Sequence, residues 1–453
     1  MTSIVTDSKA LPAIPWEEFG FTDAAYDSRF QASDVLSFYP TTAISQSDKH
    51  IRILLPKIKA GWAYDLSEIK FQGTINIHKA DNTVLPADSN ISTINNIWPS
   101  AFKTMNIYFN NVLVQYLPFH ERMNYLLKRL ETPASEFDTY MTNSGYYADS
   151  IENADSVDPD VNDGWDKRRN RFGSKVNNAF VYGTSPVYFE SQICTYLPKI
   201  PFMPEYEIVL ELEINDDNTF FFTDGTQASK DCSFSVQNLV AKVPANHFVD
   251  SVYVEIKRKI DKRDMTFNYR KLEVNWLDIP TGTLSQQFEN ITLGRIPEKM
   301  IVFFQNNKRA RGDKALNTLR FQQKFNEDNP ENTFGIKKVD MVLSNRNIDG
   351  FQQTSWTKNN FRDEYGRLFN IMGPQVYVTY EEFMHSFFVL VYDFTLTNGK
   401  GPDDLIPVVK TGFHRLSVEL TKVSTEPIVM FVVLMQQATI KITANGTIIR
   451  DSV

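Results

Sequence analysis

The sequence predicts an all-β protein in two halves of about 200 residues each, joined by a short helical connection. Three observations predict it. Apolar residues recur with a period of two in both halves. Helical spacing is confined to a few short stretches. One of these, carried by Val249, Val252, Ile256 and Ile260, falls mid-chain with strand patterns on either side.

Residues 1–44 show little periodicity and carry Pro12, Pro15 and Pro40, so they read as an extended arm crossing a surface. Ile69, Phe71, Gly73, Ile75 and Ile77 then alternate with Lys70, Gln72, Thr74 and Asn76, which puts an apolar and a polar row on opposite faces of a strand. Met105, Ile107 and Phe109 repeat the pattern. After Asn110-Asn111 it resumes at Val112, Val114 and Tyr116. Asn tolerates positive φ, so this is a hairpin with a tight turn.

Phe119, Met123, Leu126, Leu127 and Leu130 share one face of a helix stopped by Pro133. The stretch 146–178 is polar, with Asp149, Glu152, Asp155, Asp158, Asp160, Asp163 and Asp166 ahead of Lys167-Arg168-Arg169-Asn170-Arg171. A long charged insertion between strands reads as a functional surface loop or a disordered one, and as a solvated acidic loop rather than a metal site. Tyr206, Ile208, Leu210, Leu212 and Ile214 return to period two, and the mid-chain helix follows near 247–261.

In the second half, Val339, Met341 and Leu343 alternate, as do Leu416, Val418 and Leu420. Phe361, Tyr365, Leu368, Phe369 and Met372 predict a helix ended by Gly373-Pro374. Residues 387–396 and 428–434 are apolar at consecutive positions and rich in β-branched and aromatic types, so they read as strands buried on both faces. Ile440 and Ile442 lead into Ala444-Asn445-Gly446-Thr447, a hairpin signal.

The 453 residues are 42% hydrophobic and 13% aromatic, which excludes disorder along the whole length. Two cysteines, Cys194 and Cys232, exclude a disulfide scaffold or a Cys-rich zinc module. A net charge of −8 argues against a protein whose main task is to coat nucleic acid. No apolar run approaches the roughly 20 residues of a membrane-spanning helix. The N-terminus lacks the pattern of a secretory signal, so folding in a reducing compartment is expected. The sequons at Asn90, Asn290 and Asn445 are then chance triplets.

Catalytic, cofactor and metal sites are all read as absent. Asp158, Asp160 and Asn162 match positions 1, 3 and 5 of a calcium-binding loop, but Asp163 and Arg169 stand where Gly and Glu are required. His50, His78, His120, His247, His385 and His414 show no metal-ligand spacing. There is no phosphate-binding Gly-rich loop and no Gly-x-Ser-x-Gly elbow. Glu381-Glu382 and Asp403-Asp404 are adjacent pairs, which diverge on a strand.

Three basic clusters, 167–171, 257–263 and 308–314, are solvated faces or contacts to nucleic acid or acidic neighbours. The tripeptide Arg311-Gly312-Asp313 is a weak integrin-type signal. A carbohydrate-binding or carbohydrate-processing β-sandwich is the competing class. It would need Trp62, Trp98, Trp276 and Trp356 to converge on one sheet.

The order and spacing of several segments resemble a known family. Phe38-Tyr39-Pro40 precedes Tyr64-Asp65-Leu66-Ser67, Trp98-Pro99-Ser100-Ala101-Phe102 and the block from Met105 to Val114. Ile279-Pro280-Thr281-Gly282, Phe288-Glu289-Asn290, Leu293-Gly294-Arg295-Ile296-Pro297 and Tyr392-Asp393-Phe394-Thr395-Leu396 follow. Together they resemble double-jelly-roll major capsid proteins of the Polinton/Maverick and adintovirus type, from about residue 35 onward. Val112 follows Asn111 where that family usually has Gly, and 146–178 has no counterpart in its pattern.

The resemblance implies two consecutive jelly rolls: an arm at 1–44, a first jelly roll at 45–245, a helical connection at 246–262 and a second jelly roll at 263–453. It implies homotrimeric capsomers of pseudo-sixfold outline in the icosahedral capsid of a double-stranded DNA virus or virus-like element. The product would be made in the host cytoplasm or nucleus and end in the virion. Expected partners are neighbouring capsomers, penton or minor capsid proteins, and the genome at the inner surface, with no membrane segment. No enzymatic activity and no cofactor are expected. A minor capsid component is a further alternative.

Overall fold

The computed structural model describes residues 14–15, 30–44, 49–86, 89–137, 139–176, 179–191, 193–197, 206–262, 264–343, 346–347, 361–394, 411–443 and 447–450. Eight strands build the first half: β1 (Phe30–Phe38), β2 (His50–Leu55), β3 (Lys70–Lys79), β4 (Phe102–Phe109), β5 (Val112–Pro118), β6 (Thr184–Glu190), β7 (Ile208–Ile214) and β8 (Cys232–Phe248). Eight more build the second: β9 (Met265–Ile279), β10 (Ser285–Arg295), β11 (Lys299–Asn306), β12 (Phe334–Leu343), β13 (Arg346–Asn347), β14 (Val389–Asp393), β15 (Thr411–Leu420) and β16 (Ile428–Ile442).

The first half forms one sheet in the order β6-β3-β8-β1 and a second in the order β2-β7-β4-β5, antiparallel throughout. The second half forms β14-β11-β16-β9 and β10-β15-β12-β13, again antiparallel. Adding eight to every strand number of the first pair of sheets gives the second pair. Eight strands dealt into two facing four-stranded sheets in this order make a jelly roll. The chain is therefore two consecutive jelly rolls. Short strands extend the edges: Ile14–Pro15 runs parallel to β9, and Ile448–Arg450 pairs with the end of β16.

The local reasons are those of the pattern. Phe71, Ile75 and Ile77 of β3 are buried while Gln72, Thr74 and Asn76 are half-exposed. Leu210 and Leu212 of β7 lie opposite Ile107 and Met105 of β4, and all four are buried. The β4–β5 turn holds Asn110 at φ +49° and Asn111 at φ +67°. These are the left-handed values that a two-residue hairpin turn requires. The Asn445-Gly446 turn expected after β16 lies outside the described residues.

The helices used below are α1 (His120–Glu131), α2 (Asp163–Arg171), α3 (Asp250–Ile260), α4 (Asn307–Arg311), α5 (Arg362–Met372) and α6 (Tyr380–His385). Helices α1, α3 and α5 fall where the periodicity puts them. Helix α3 follows β8 and precedes β9, linking the two jelly rolls.

Two expectations are corrected. Residues 30–38, read as part of the arm, are strand β1, paired with β8 from Phe38↔Ala241 to Phe30↔Phe248. The stretch 146–178, read as a solvated acidic loop, contains α2, whose Trp165 and Arg168 are fully buried. Trp165 Nε1 donates to the Phe222 carbonyl at 3.0 Å. Gly164 lets the helix lie against residue 148, because a Cβ there would sit 2.1 Å from the Ala148 carbonyl oxygen. The charges of this stretch outnumber its apolar residues, but Tyr146, Trp165 and Phe172 are buried and dock it.

Strand β14 and the first eight residues of β16 are buried at every position. Residues 395 and 396 of the expected run lie outside the described residues. One face of this sheet looks into the second sandwich, whose other wall carries Ile336, Val339, Met341, Leu416 and Val418. The other face is covered by α1, a helix contributed by the first half. Phe119, just ahead of α1, stacks on Trp276 of β9 at 5.4 Å and meets Phe431 of β16 edge-on at 5.3 Å.

Gln115 of β5 completes the junction. Its Nε2 donates to the Leu272 carbonyl at 3.0 Å, and its Oε1 accepts from the Leu272 N–H at 3.3 Å. A side-chain amide thus imitates a strand neighbour across the gap between the jelly rolls. Replacing Gln115 with Leu strands both backbone groups of Leu272 in a buried site. It should cost about 2–3 kcal/mol in a denaturant titration; an unchanged midpoint would show that the junction does not depend on this amide.

Candidate functional site

Among the described residues, no group of three or more His, Cys, Asp or Glu side chains is placed to hold a metal ion. Asn162 caps α2 by accepting from Trp165 N, and Asp158 accepts from Asp160 N within its own turn. The oxygens that resemble a calcium loop are therefore turn and cap acceptors.

His120 is fully buried, with Nδ1 3.0 Å from the Pro99 carbonyl and Nε2 3.1 Å from Ser191 Oγ. Burial pushes its pKa down to about 4, as it does for His414 beside Thr292. Both imidazoles are neutral at pH 7. His78 lies on β3 beside its own strand backbone, and His247 stacks on Trp62. The thiols of Cys194 and Cys232 are free and buried, and burial pushes both up to about 12, which makes them inert.

The densest polar constellation lies where the 146–172 insertion and α1 meet the second jelly roll. Asp155 receives Arg309 in two parallel bonds, Nη1 at 2.7 Å and Nη2 at 2.8 Å, and also Arg320. Burial alone would raise the Asp155 pKa; the two guanidiniums outweigh it and hold the carboxyl well below the usual carboxylate range. Arg320 continues to Glu327. On α2, Arg168 reaches Asp149 at 2.6 Å and the Thr93 carbonyl at 2.9 Å.

Helix α1 adds three more buried cations. Arg122 pairs with its neighbour Glu121 and donates to Gln305 Oε1 at 3.1 Å and to the Ala310 carbonyl at 2.8 Å. Arg129 reaches Glu382 of α6 at 2.7 Å and the Tyr377 carbonyl at 3.0 Å. Lys128 donates to Ser144 Oγ at 2.9 Å, and burial pushes its pKa down to about 8.

The basic clusters divide accordingly. Arg168 and Arg309 are interior ion-pair partners of acidic neighbours, while Arg169 lies over the Phe180 ring at 4.2 Å. In the Arg311-Gly312-Asp313 tripeptide, Arg311 lies over the Trp276 ring and donates to Asn307, and Asp313 accepts from Ala315 N. Both charges are engaged within the chain. Glu382 is committed to Arg129, and Asp403-Asp404 lies outside the described residues. Of the tryptophans, Trp98 is in the first core, Trp62 packs beside β8 and Trp276 faces the junction. They do not converge on one sheet. Trp356 lies outside the described residues.

Two surface depressions have volumes of 310 and 350 Å³. The lining of neither holds a His, a Cys or a pair of carboxylates. No helix of the described residues is long and apolar enough to cross a membrane.

No family model and no curated protein matches this sequence. Solved structures do. A chain of the Sputnik virophage cryo-EM structure superposes with a TM-score of 0.62 at 12% identity, over 100% of this chain and 93% of that one. The PBCV-1 virus capsid gives 0.56 at 9% identity, over 96% and 100%. The Faustovirus major capsid protein gives 0.56 at 8% identity, over 92% of each chain. What is shared is the fold, two jelly rolls in one chain, across nearly the whole length.

Gln115, Arg122, Arg129 and Asp155 were not singled out as site residues from the sequence. The available signal was a cluster of charges, Glu121, Arg122, Lys128 and Arg129, on a helix of core-like apolar spacing. Such a helix has no face left over for solvent.

Two measurements test these assignments. Asp155 has a folded-state pKa below its unfolded one. Its stabilisation is complete above the ordinary carboxylate range and is lost as pH falls through the depressed value. Asp155→Asn should therefore cost about 3–5 kcal/mol at pH 7, with the gap to wild type narrowing below about pH 4. Lys128 is the opposite case, since its folded state disfavours the ammonium. Between about pH 8 and the ordinary 10.5, wild type should gain roughly 3 kcal/mol relative to Lys128→Met. Parallel pH profiles for the two proteins would refute the buried amine.

Proposed function

We propose that this chain is a major capsid protein of the Polinton/Maverick–adintovirus type. It would form trimeric, pseudo-hexameric capsomers in the icosahedral shell of a double-stranded DNA virus or virus-like element. The observation that carries the reading is the duplicated strand order. One chain presents the same eight-stranded unit twice, and three chains around a threefold axis present six similar units, an outline that tiles hexavalent positions. The junction residues support it, because a tile needs a fixed angle between its two halves. The likeness in fold to structures of virophage and large-virus capsids supports it as well.

The division of the chain follows as part of the proposal. An arm precedes Phe30, the first jelly roll runs through β8, α3 connects, and the second jelly roll begins at β9. The aromatics Trp16, Phe19, Phe21 and Tyr26 ahead of β1 lie outside the described residues. Exposed apolar side chains on connections are candidates for the trimer interface. Leu284 and Val423 are two such, and their loops are joined by the Ser424 N–H donating to the Thr283 carbonyl at 2.8 Å. The role is surface complementarity, with no reaction. The partners are further copies of the chain, penton or minor capsid proteins, and the place of action is the virion.

Mass measurement of the purified protein should give a trimer at micromolar concentration, and negative-stain images should show near-hexagonal particles with a threefold axis. A monomer that forms no shell with its partner proteins would sink this reading.

A further inference from the structure

One basic cluster remains without a structural use. Lys257, Arg258 and Lys262 lie at the exposed C-terminal end of α3, and none of the three makes an ion pair among the described residues. Lys57 and Lys59 are likewise exposed and unpaired, on the loop ahead of Trp62. This loop adjoins the start of α3. The Phe248 N–H donates to the Gly61 carbonyl at 2.8 Å, and Trp62 pairs with His247 at the end of β8. Eleven residues of α3 span about 16 Å, so the surface of this loop and helix carries cations beside the helix start and at its end.

An aromatic shelf lies on the same face. The half-buried Trp62 stacks on His247 at 4.8 Å and 12°, and Gln31 Nε2 lies 2.6 Å from His247 Nδ1. Gly61, at φ +84°, lets the loop pass, since a Cβ there would press on the His247 ring at 3.0 Å. The acids within residues 56–62 and 250–262 are Asp250, Glu255 and Asp261, and Glu255 is already paired with Lys259 at 3.5 Å. The cations exceed them, on a protein whose net charge is −8.

We infer that the face built from residues 56–62 and α3 binds a nucleic-acid strand, with Lys57, Lys59, Lys257, Arg258 and Lys262 on phosphates and Trp62 beneath a base. Cations beside a stacked indole are the two elements of sequence-independent strand binding. Favourable placement of cations at a helix C-terminus accounts for Lys257 and Arg258 but not for Lys57 and Lys59, which are on a loop. A lipid surface fits less well. A helix lying on a membrane offers it an apolar face, whereas Ile256 is buried and Val252 and Tyr253 pack on the protein core, leaving Val254 as the exposed apolar residue among positions 250–259 of the helix. The inference takes only its setting from the capsid reading, a shell protein that meets nucleic acid with unpaired bases.

The test is fluorescence anisotropy of the full chain with a labelled 20-nucleotide single strand, the matching duplex, and phosphatidylserine-containing vesicles. Binding of the single strand at roughly micromolar Kd in 50 mM salt is expected, with log K falling linearly in log salt. Neutralising all five cations to Gln should weaken binding at least tenfold. Lys262→Gln alone should reduce the salt slope by about 1. Trp62→Leu should weaken the single strand about fivefold or more and the duplex less. Lys422→Gln, on the second jelly roll, should change nothing.

Unchanged affinity in the five-fold variant, or binding to vesicles without binding to nucleic acid, overturns the inference. All five positions are exposed, and circular dichroism checks that the variant is folded. Particle formation is scored separately. Strand binding by a protein that forms no trimer overturns the capsid reading and leaves this one standing. Trimers and shells that bind no strand do the reverse.

Discussion

The structure depends on one sheet in which three strands have almost no solvent face. The strands β14, β11 and β16 are apolar at consecutive positions, so an isolated second jelly roll would expose a wide greasy wall. Helix α1, carried by the first half, covers that wall, and Phe119, Trp276, Phe303 and Phe431 form an aromatic layer where they meet. Burial of apolar area, at about 25 cal/mol per Å², ties the halves together here. The reverse also holds. Met265, Phe267, Tyr269, Ile440 and Ile442 of the second half belong to the core of the first. The two jelly rolls repeat in topology but share their cores.

Apolar contact is non-directional, and a tile needs an angle. The polar groups of the junction supply direction. Gln115 has one geometry in which both of its amide ends meet the backbone of Leu272. Asp155 has one position in which two guanidiniums reach it. A buried ion pair adds little net stability compared with apolar residues of the same volume, but half of one is costly. Arrangements of the halves that break these pairs are therefore disfavoured, which selects one orientation out of the many that the greasy wall alone would tolerate.

The same reasoning separates the charged residues into two kinds. Arg122, Arg129, Arg168 and Arg309 are interior and spoken for by named acceptors. Lys57, Lys59, Lys257, Arg258 and Lys262 are exposed and without acid partners among the described residues. Only the second kind is available to another molecule. A planar guanidinium can satisfy several carbonyls and a carboxylate at once, which suits it to the first role.

The period-two rows, the Asn110-Asn111 turn and the three apolar helical stretches are local signals, so the all-β class, the two halves and helices α1, α3 and α5 were legible in the sequence. Strand β1 was missed because its nine residues, Phe30 to Phe38, mostly lie exposed at a sheet edge, where burial imposes little alternation. The 146–172 insertion was misjudged because its acids and bases are satisfied by residues distant in sequence: Asp155 by Arg309 and Arg320, Arg168 by the Thr93 carbonyl. A local pattern records which residues avoid water, and that is what the sequence by itself determined. Which charges find a partner, and which face of a doubly apolar strand is covered by which helix, depends on contacts between residues far apart in the chain, 75 positions for Arg168 and Thr93 and 154 for Asp155 and Arg309. Only the tertiary structure decided those, because partner choice at that separation leaves no periodicity in the chain.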